Sequence, residues 1–263
     1  MLSPLYGQLS PLRVPTAIVK GISPADISGL QLWLDATTGL YDATSGGNSV
    51  TSDGVAIGRW EDQSGNGNHG TQSVVNDQPL YRTGIPAVDF DGANDSINCG
   101  QPASLDITGN GTILFWVYMD SVTDFDGFVS KAIKDTTSIV SGSQYHIEAY
   151  QGRFRTIITG NDLRNGTQQT GTCPTISTGV WQQFAFSWDS SLLKQYKNGL
   201  FAASRSQSGS PQTKAYDLFI GKRDRLTTSA IDGRIAEVLI YSEALSEEDI
   251  TTLFDISKSN FGL

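Results

Sequence analysis

Histidine, cysteine and methionine are each present only twice in 263 residues. Two histidines, His69 and His146, cannot build a histidine-rich metal site and leave few candidates for a nucleophile–base–acid triad. Cys99 and Cys173 lie far apart in the chain; they could form one disulfide, but without a secretory signal two buried thiols are the expectation. No apolar run approaches the length of a membrane-spanning helix. The first residues, Met1-Leu2-Ser3-Pro4-Leu5, have no basic region and are broken by Pro4, Pro11 and Pro15, so a secretory signal is not expected. Gly-x-Ser-x-Gly and His-Glu-x-x-His are both missing. Gly65-Asn-Gly-Asn-His-Gly70 fits Gly-x-Gly-x-x-Gly literally but has no strand before it or helix after it, and reads as a turn. Basic residues are outnumbered, 18 against 27 acidic, for a net charge of −9. That balance repels phosphate backbones and anionic lipid, so neither nucleic acid nor membrane is an expected partner.

What the chain does have is glycine, 28 residues of it, and an excess of Asp over Glu, both suited to tight turns. Between the turn signals lie short apolar runs with strand alternation. Thr112–Met119 carries Ile113, Phe115, Val117 and Met119 on one face and Leu114, Trp116 and Tyr118 on the other, as a central strand would. Trp181–Trp188 places Phe184, Phe186 and Trp188 together. Asn198-Gly199 is a strong hairpin signal, and Gln151-Gly152 marks another between Tyr145–Tyr150 and Arg153–Ile158. Tyr216–Gly221 and Arg234–Tyr241 read as two further strands. One helix is legible: Ser246 is its N-cap, Asp249 completes a capping box, and Ile250, Leu253 and Phe254 share a face. Such a helix is expected to cover an edge or end of the fold. The fold class is all-β, a two-sheet antiparallel sandwich with one short C-terminal helix.

Residues 1–28 differ from the rest. Leu-Ser-Pro-Leu occurs at 2–5 and again at 9–12, and the prolines keep the segment out of a central strand. Leu5, Tyr6, Leu9, Leu12, Val14 and Ile18 are too apolar for a solvated linker. They are expected to form an extended assembly arm that docks on a partner, with residues 29–263 as the folded domain.

The domain resembles a known family. Asp89-Phe-Asp-Gly-Ala-Asn-Asp-Ser-Ile97, the strand from Gly111 to Val117, the stretch from Trp181 to Asp189 followed by Leu193–Gly199, and Asp232–Tyr241 with Leu245–Ile250 are similar, in that order, to laminin G-like, concanavalin A-like jelly rolls. Leu32-Trp-Leu-Asp-Ala36 and Trp60–His69 look like the lead-in to such domains in bacterial and phage surface proteins. The resemblance covers about residues 30–256. It implies a jelly roll, often glycan binding, and in some members Ca²⁺; fold alone does not fix function. Glycoside hydrolases of this fold carry a Glu-x-Asp-x-x-Glu strand, which is missing here. His146 and Glu148 share a strand face, expected to be solvated rather than catalytic.

Two sets of site residues follow. Asp89, Asp91, Asn94, Asp95 and, from the closing strand, Asp232 offer oxygen ligands suited to Ca²⁺. Tyr41, Phe125, Phe128 and Tyr150 are the loop aromatics on which a sugar could stack. The five tryptophans sit in strand patterns and are expected in the core. Taken together, the sequence predicts a non-enzymatic structural protein of a phage virion, a capsid decoration or a tail or fibre component. The arm would bind other virion proteins or further copies in a homo-oligomer, and the outward domain would meet host-surface glycan. The alternatives are a secreted or cell-surface lectin-like module and a glycoside hydrolase.

Overall fold

A computed structural model of the chain describes residues 21–132, 139–166, 169–209, 211–223 and 229–263. The strands, in chain order, are β1 (Leu30–Asp35), β2 (Leu40–Tyr41), β3 (Arg59–Trp60), β4 (Gly70–Thr71), β5 (Leu80–Arg82) and β6 (Ala87–Asp91). Then come β7 (Ile97–Asn98), β8 (Gly111–Met119), β9 (Gly127–Lys131), β10 (Tyr145–Tyr150), β11 (Arg153–Ile158) and β12 (Asn161–Leu163). The last are β13 (Thr170–Gly171), β14 (Trp181–Trp188), β15 (Leu192–Lys197), β16 (Leu200–Ser206), β17 (Phe219–Ile220) and β18 (Asp232–Tyr241). A single turn, α1 (Ile139–Gly142), precedes β10, and α2 (Glu247–Ser257) follows β18.

The strands form two antiparallel sheets. The first runs β13-β16-β15-β14-β8-β18-β6-β5, with β1 also paired to β18; the second runs β12-β11-β10-β9-β17-β7-β4-β3-β2. This is the jelly-roll sandwich expected from the sequence. Strand β8 is central, between β14 and β18, and its Ile113, Phe115, Val117 and Met119 enter the shared core with Phe184, Phe186 and Trp188 of β14. Both hairpin turns form where expected, with Gln151-Gly152 and Asn198-Gly199 in the left-handed region. Tyr216–Gly221 yields only the two-residue β17.

Helix α2 has both halves of its capping box, Ser246 and Asp249. It covers the broad outer face of the first sheet, not an edge or end. Its Ile250 and Leu253 pack with Leu114, Tyr196, Leu239 and Tyr241, and Phe254 stacks on Trp116. The reason lies in β8, β14 and β18, whose second faces are apolar too and must be sheltered.

The arm residues Leu5, Tyr6, Leu9, Leu12, Val14 and Ile18 lie outside the described residues. Residues 21–28 do not extend away. Pro24–Asp26 forms a 3₁₀ turn capped by Ser23, and the Tyr241 hydroxyl donates to the Pro24 carbonyl at 3.0 Å. Cys99 and Cys173 are buried free thiols. Trp60, Trp116 and Trp188 are fully buried, whereas Trp33 and Trp181 are only partly so.

Candidate functional site

The hairpin of β10 and β11 dictates the chemistry on the outer face of the second sheet. A two-residue turn at Gln151-Gly152 pairs Tyr150 with Arg153 and Glu148 with Arg155, and His146 with Ile157. Alternation puts these side chains on the face turned away from the core. Asp162 of β12 joins them opposite Ile157. From the far side, Arg223 is brought in after β17, because Gly127 lets its backbone close on β9. A Cβ at Gly127 would lie 2.3 Å from the Arg223 nitrogen.

These groups form a buried ionic network. Arg155 grips Asp162 with two parallel bonds, Nε to Oδ1 at 3.0 Å and Nη2 to Oδ2 at 2.7 Å, and reaches Glu148 Oε1 through Nη1 at 2.5 Å. Glu148 Oε2 is met by His146 Nε2 at 2.9 Å and Arg223 Nε at 3.3 Å. Arg164 Nε adds a third contact to Asp162 at 3.2 Å. Burial alone would raise the Glu148 carboxyl, but His146, Arg223 and Arg155 outweigh it and hold it below its usual range. Burial pushes the His146 imidazole down, and its Nε2 donates to Glu148. Its Nδ1 lies 2.8 Å from the Ser130 oxygen, whose hydroxyl donates to the Arg223 carbonyl. The expectation of a solvated face is corrected: His146 and Glu148 are 0% exposed. Two carboxylates could be buried here because arginines satisfy them. Ser130, His146 and Glu148 are linked like a nucleophile, base and acid, yet all three are closed off from solvent.

Above this network stand two aromatics. Phe125 is 39% exposed and holds φ at +78°, a backbone conformation that costs a bulky residue energy. The loop pins it there: the Phe125 nitrogen donates to the Ala149 carbonyl at 2.7 Å, and Asp126 Oδ2 accepts from the Thr123 nitrogen at 2.7 Å. Its ring lies 5.7 Å from that of Tyr150. Guanidiniums flank both rings. Arg223 sits 5.1 Å from the Phe125 centroid, and Arg155 and Arg164 sit 5.0 and 5.1 Å from that of Tyr150. The arrangement suits stacking against a flat, partly apolar face with hydrogen-bond donors at its rim.

Of the four aromatics read from the sequence, Phe125 and Tyr150 come together. Tyr41 lies at the opposite edge of the second sheet, under the Arg59 guanidinium at 4.1 Å. Phe128 is no loop residue: it is fully buried in β9 and stacks on Phe115 at 5.3 Å. The sequence reading missed Arg155 and Arg223. The hairpin register would have found Arg155; Arg223 arrives from a distant loop and left no local signal.

The five proposed calcium ligands do not converge. Asp89 faces Arg82 at 2.7 Å and Arg234 at 3.3 Å. The Asn94 amide donates to the Asn76 carbonyl and to Asp77, and Asp95 accepts from the Asp91 nitrogen at 3.1 Å. Only Asp91 and Asp232 border one cavity, of about 410 Å³, joined there by Asp126. Burial pushes Asp95 up to about 7 and Asp126 up to about 6. Among the described residues no three His, Cys, Asp or Glu side chains gather as a metal-holding group. The set does not fit a ready-made Ca²⁺ cage.

A second cavity, of about 420 Å³, opens on the outer face of the first sheet, where β1 and β18 place Asp35 directly opposite Glu237. Phe261, Ser257 and Asn260 wall it from the C-terminal end. Burial, then Asp35, pushes Glu237 up to about 8, and the Trp33 indole donates to it at 3.2 Å.

Comparison with known proteins settles the family. A laminin G family profile, described as the concanavalin A-like lectin/glucanases superfamily, matches residues 91–251. The chain belongs to that superfamily. No curated protein sequence matches it. Among solved structures, domain 4 of AbnA, a GH43 extracellular arabinanase from Geobacillus stearothermophilus in complex with arabinotriose, superposes with a TM-score of 0.59 at 19% identity. The match covers 86% of this chain and 98% of that one. The binding domain of Paraclostridial Mosquitocidal Protein 1 gives 0.59 at 15% identity, with 88% and 52% covered. A Trypanosoma rangeli sialidase gives 0.57 at 11%, with 88% and 33% covered. This member of the superfamily therefore spans about half the length of the toxin chain and a third of the sialidase. At such identities the likeness concerns the fold.

Proposed function

We propose that this superfamily member is a non-catalytic, lectin-like carbohydrate-binding module whose sugar platform is the Phe125–Tyr150 pair. The observation that carries the reading is Phe125. An aromatic ring held half in solvent by a strained backbone, beside a second ring and a row of guanidiniums, is costly unless something binds there. Carbohydrate ligands of relatives, arabinotriose on the arabinanase domain among them, agree with this reading. Catalysis is given no part on this face, because Glu148 and Asp162 are already occupied by arginines and neither is placed to hand a proton to a ligand. No part is given to calcium, because Asp89, Asn94 and Asp95 are engaged within the protein.

The test is a glycan array. The protein is expected to bind saturably, to keep binding in EDTA, and to lose at least tenfold in affinity in Tyr150→Ala. A flat array, or binding indifferent to Tyr150→Ala and Phe125→Ala, would contradict the reading.

The finer placement, a virion component anchored through residues 1–28 to other virion proteins or to further copies of itself, is carried by that segment's apolar, proline-punctuated sequence. The chain would then be found in purified particles, and a version lacking residues 1–20 would not. One observation favours a second reading, glycoside hydrolysis: the facing Asp35 and Glu237 in their own cavity. It predicts release of sugar that Glu237→Gln abolishes.

A further inference from the structure

The rim of the aromatic platform is unusual for a neutral sugar. Hydroxyl groups both donate and accept, so a neutral ring is held best by a mixture of carboxylates, amides and donors. Here the donors dominate. On this face and at its margin the described residues include Arg153, Arg155, Arg164, Arg205 and Arg223. Against them stand four carboxylates, Asp124, Asp126, Glu148 and Asp162, in a chain whose net charge is −9. The carboxylates are committed within the protein. Asp124 accepts from the Gln151 nitrogen at 2.6 Å, and Glu148 and Asp162 are saturated by arginines. Burial disfavours the charged form of His146. Five cations against four anions still leave a local positive excess beside two ring faces. Arg164 and Arg223 are the ones that reach both the platform and solvent, with side chains 35% and 17% exposed.

We propose that this platform takes a sugar acid, its ring against Phe125 and Tyr150 and its carboxylate on the guanidiniums of Arg164 and Arg223. The inference rests on the carbohydrate-binding reading and narrows it to a ligand class. Guanidinium is suited to that role because its planar fork matches a carboxylate in two parallel bonds, which a hydroxyl cannot reproduce. Those charge-assisted bonds lie in a partly desolvated rim, where they discriminate more strongly than on open surface.

The experiment uses the full chain and a panel of matched oligosaccharides. Uronate- and sialate-bearing members are each paired with the same molecule after reduction of its carboxyl to the alcohol. The acidic member of at least one pair is expected to bind about tenfold tighter than its reduced partner. Arg164→Gln, at a side chain one-third exposed, is expected to bring that ratio close to one while the melting temperature stays within a degree or two; Arg223→Gln serves as the second variant. Equal binding of acidic and reduced partners would overturn the inference and leave the carbohydrate-binding reading standing. An acid preference that survives both substitutions would overturn the assignment to these arginines. No binding by any member of any pair would overturn both.

Discussion

Glu237 isolates a single side chain whose chemistry can be read without a ligand. It stands opposite Asp35 on a paired strand, where like charges disfavour each other. Its carboxyl is held near 8 when folded against an ordinary value of 4.5. Between those two values the folded state holds a proton that the unfolded state has released. The contribution of Glu237 to stability is therefore fully present below about pH 4.5 and is lost as pH rises through 8. Glu237→Gln keeps an acceptor for the Trp33 indole and removes the titration. Its unfolding free energy is expected to exceed that of the parent by on the order of 1–2 kcal/mol at pH 8.5 and to match it at pH 4.5. Urea titrations at the two pH values check this. A parent stability that rises with pH relative to the variant would show that the Asp35–Glu237 cavity does not hold its proton. The same variant serves the hydrolysis reading, which needs sugar release by the parent.

At the scale of elements, strands and turns were legible because their signals are local. Asn198-Gly199 and Gln151-Gly152 fix the registers of their hairpins, and alternation within β8 and β14 names the core. Helix α2 was legible from Ser246 and Asp249, but its resting place was not. That depends on Leu114, Leu239 and Tyr241, which only become neighbours once β8 and β18 pair. The site followed the same division. Tyr150 and Glu148 could be placed on one face from the hairpin alone, while the burial of Glu148 required Arg223, 75 residues away, and was read as exposure. Phe128, expected on a loop, lies in β9, where a bulge against β10 shifts the alternation. The capping box itself gives a prediction. Ser246→Ala removes the acceptor for the Asp249 nitrogen and is expected to cost about 1 kcal/mol in chemical denaturation. Glycan affinity should not change, since α2 and the aromatic platform lie on opposite outer faces. A matching loss of binding would mean that the helix supports the platform.

The whole molecule is a sandwich with two differently finished outer faces. The first sheet hides its apolar outer side under α2 and the C-terminal turn, where Trp116 stacks on Phe261 at 4.0 Å. The second sheet covers its outer side with a paired ionic network and leaves two rings at the edge of it. An acidic body with a guanidinium-rich, aromatic margin has a direction: neutral or negative ligands have reason to settle there. Amide shifts of the isotope-labelled protein, titrated with the best array ligand, test this most directly. The account predicts that the largest shifts cluster at residues 123–126, 150–152 and 162–164. Shifts centred instead on Asp35, Gly84 and Glu237, or confined to residues 1–20, would contradict it.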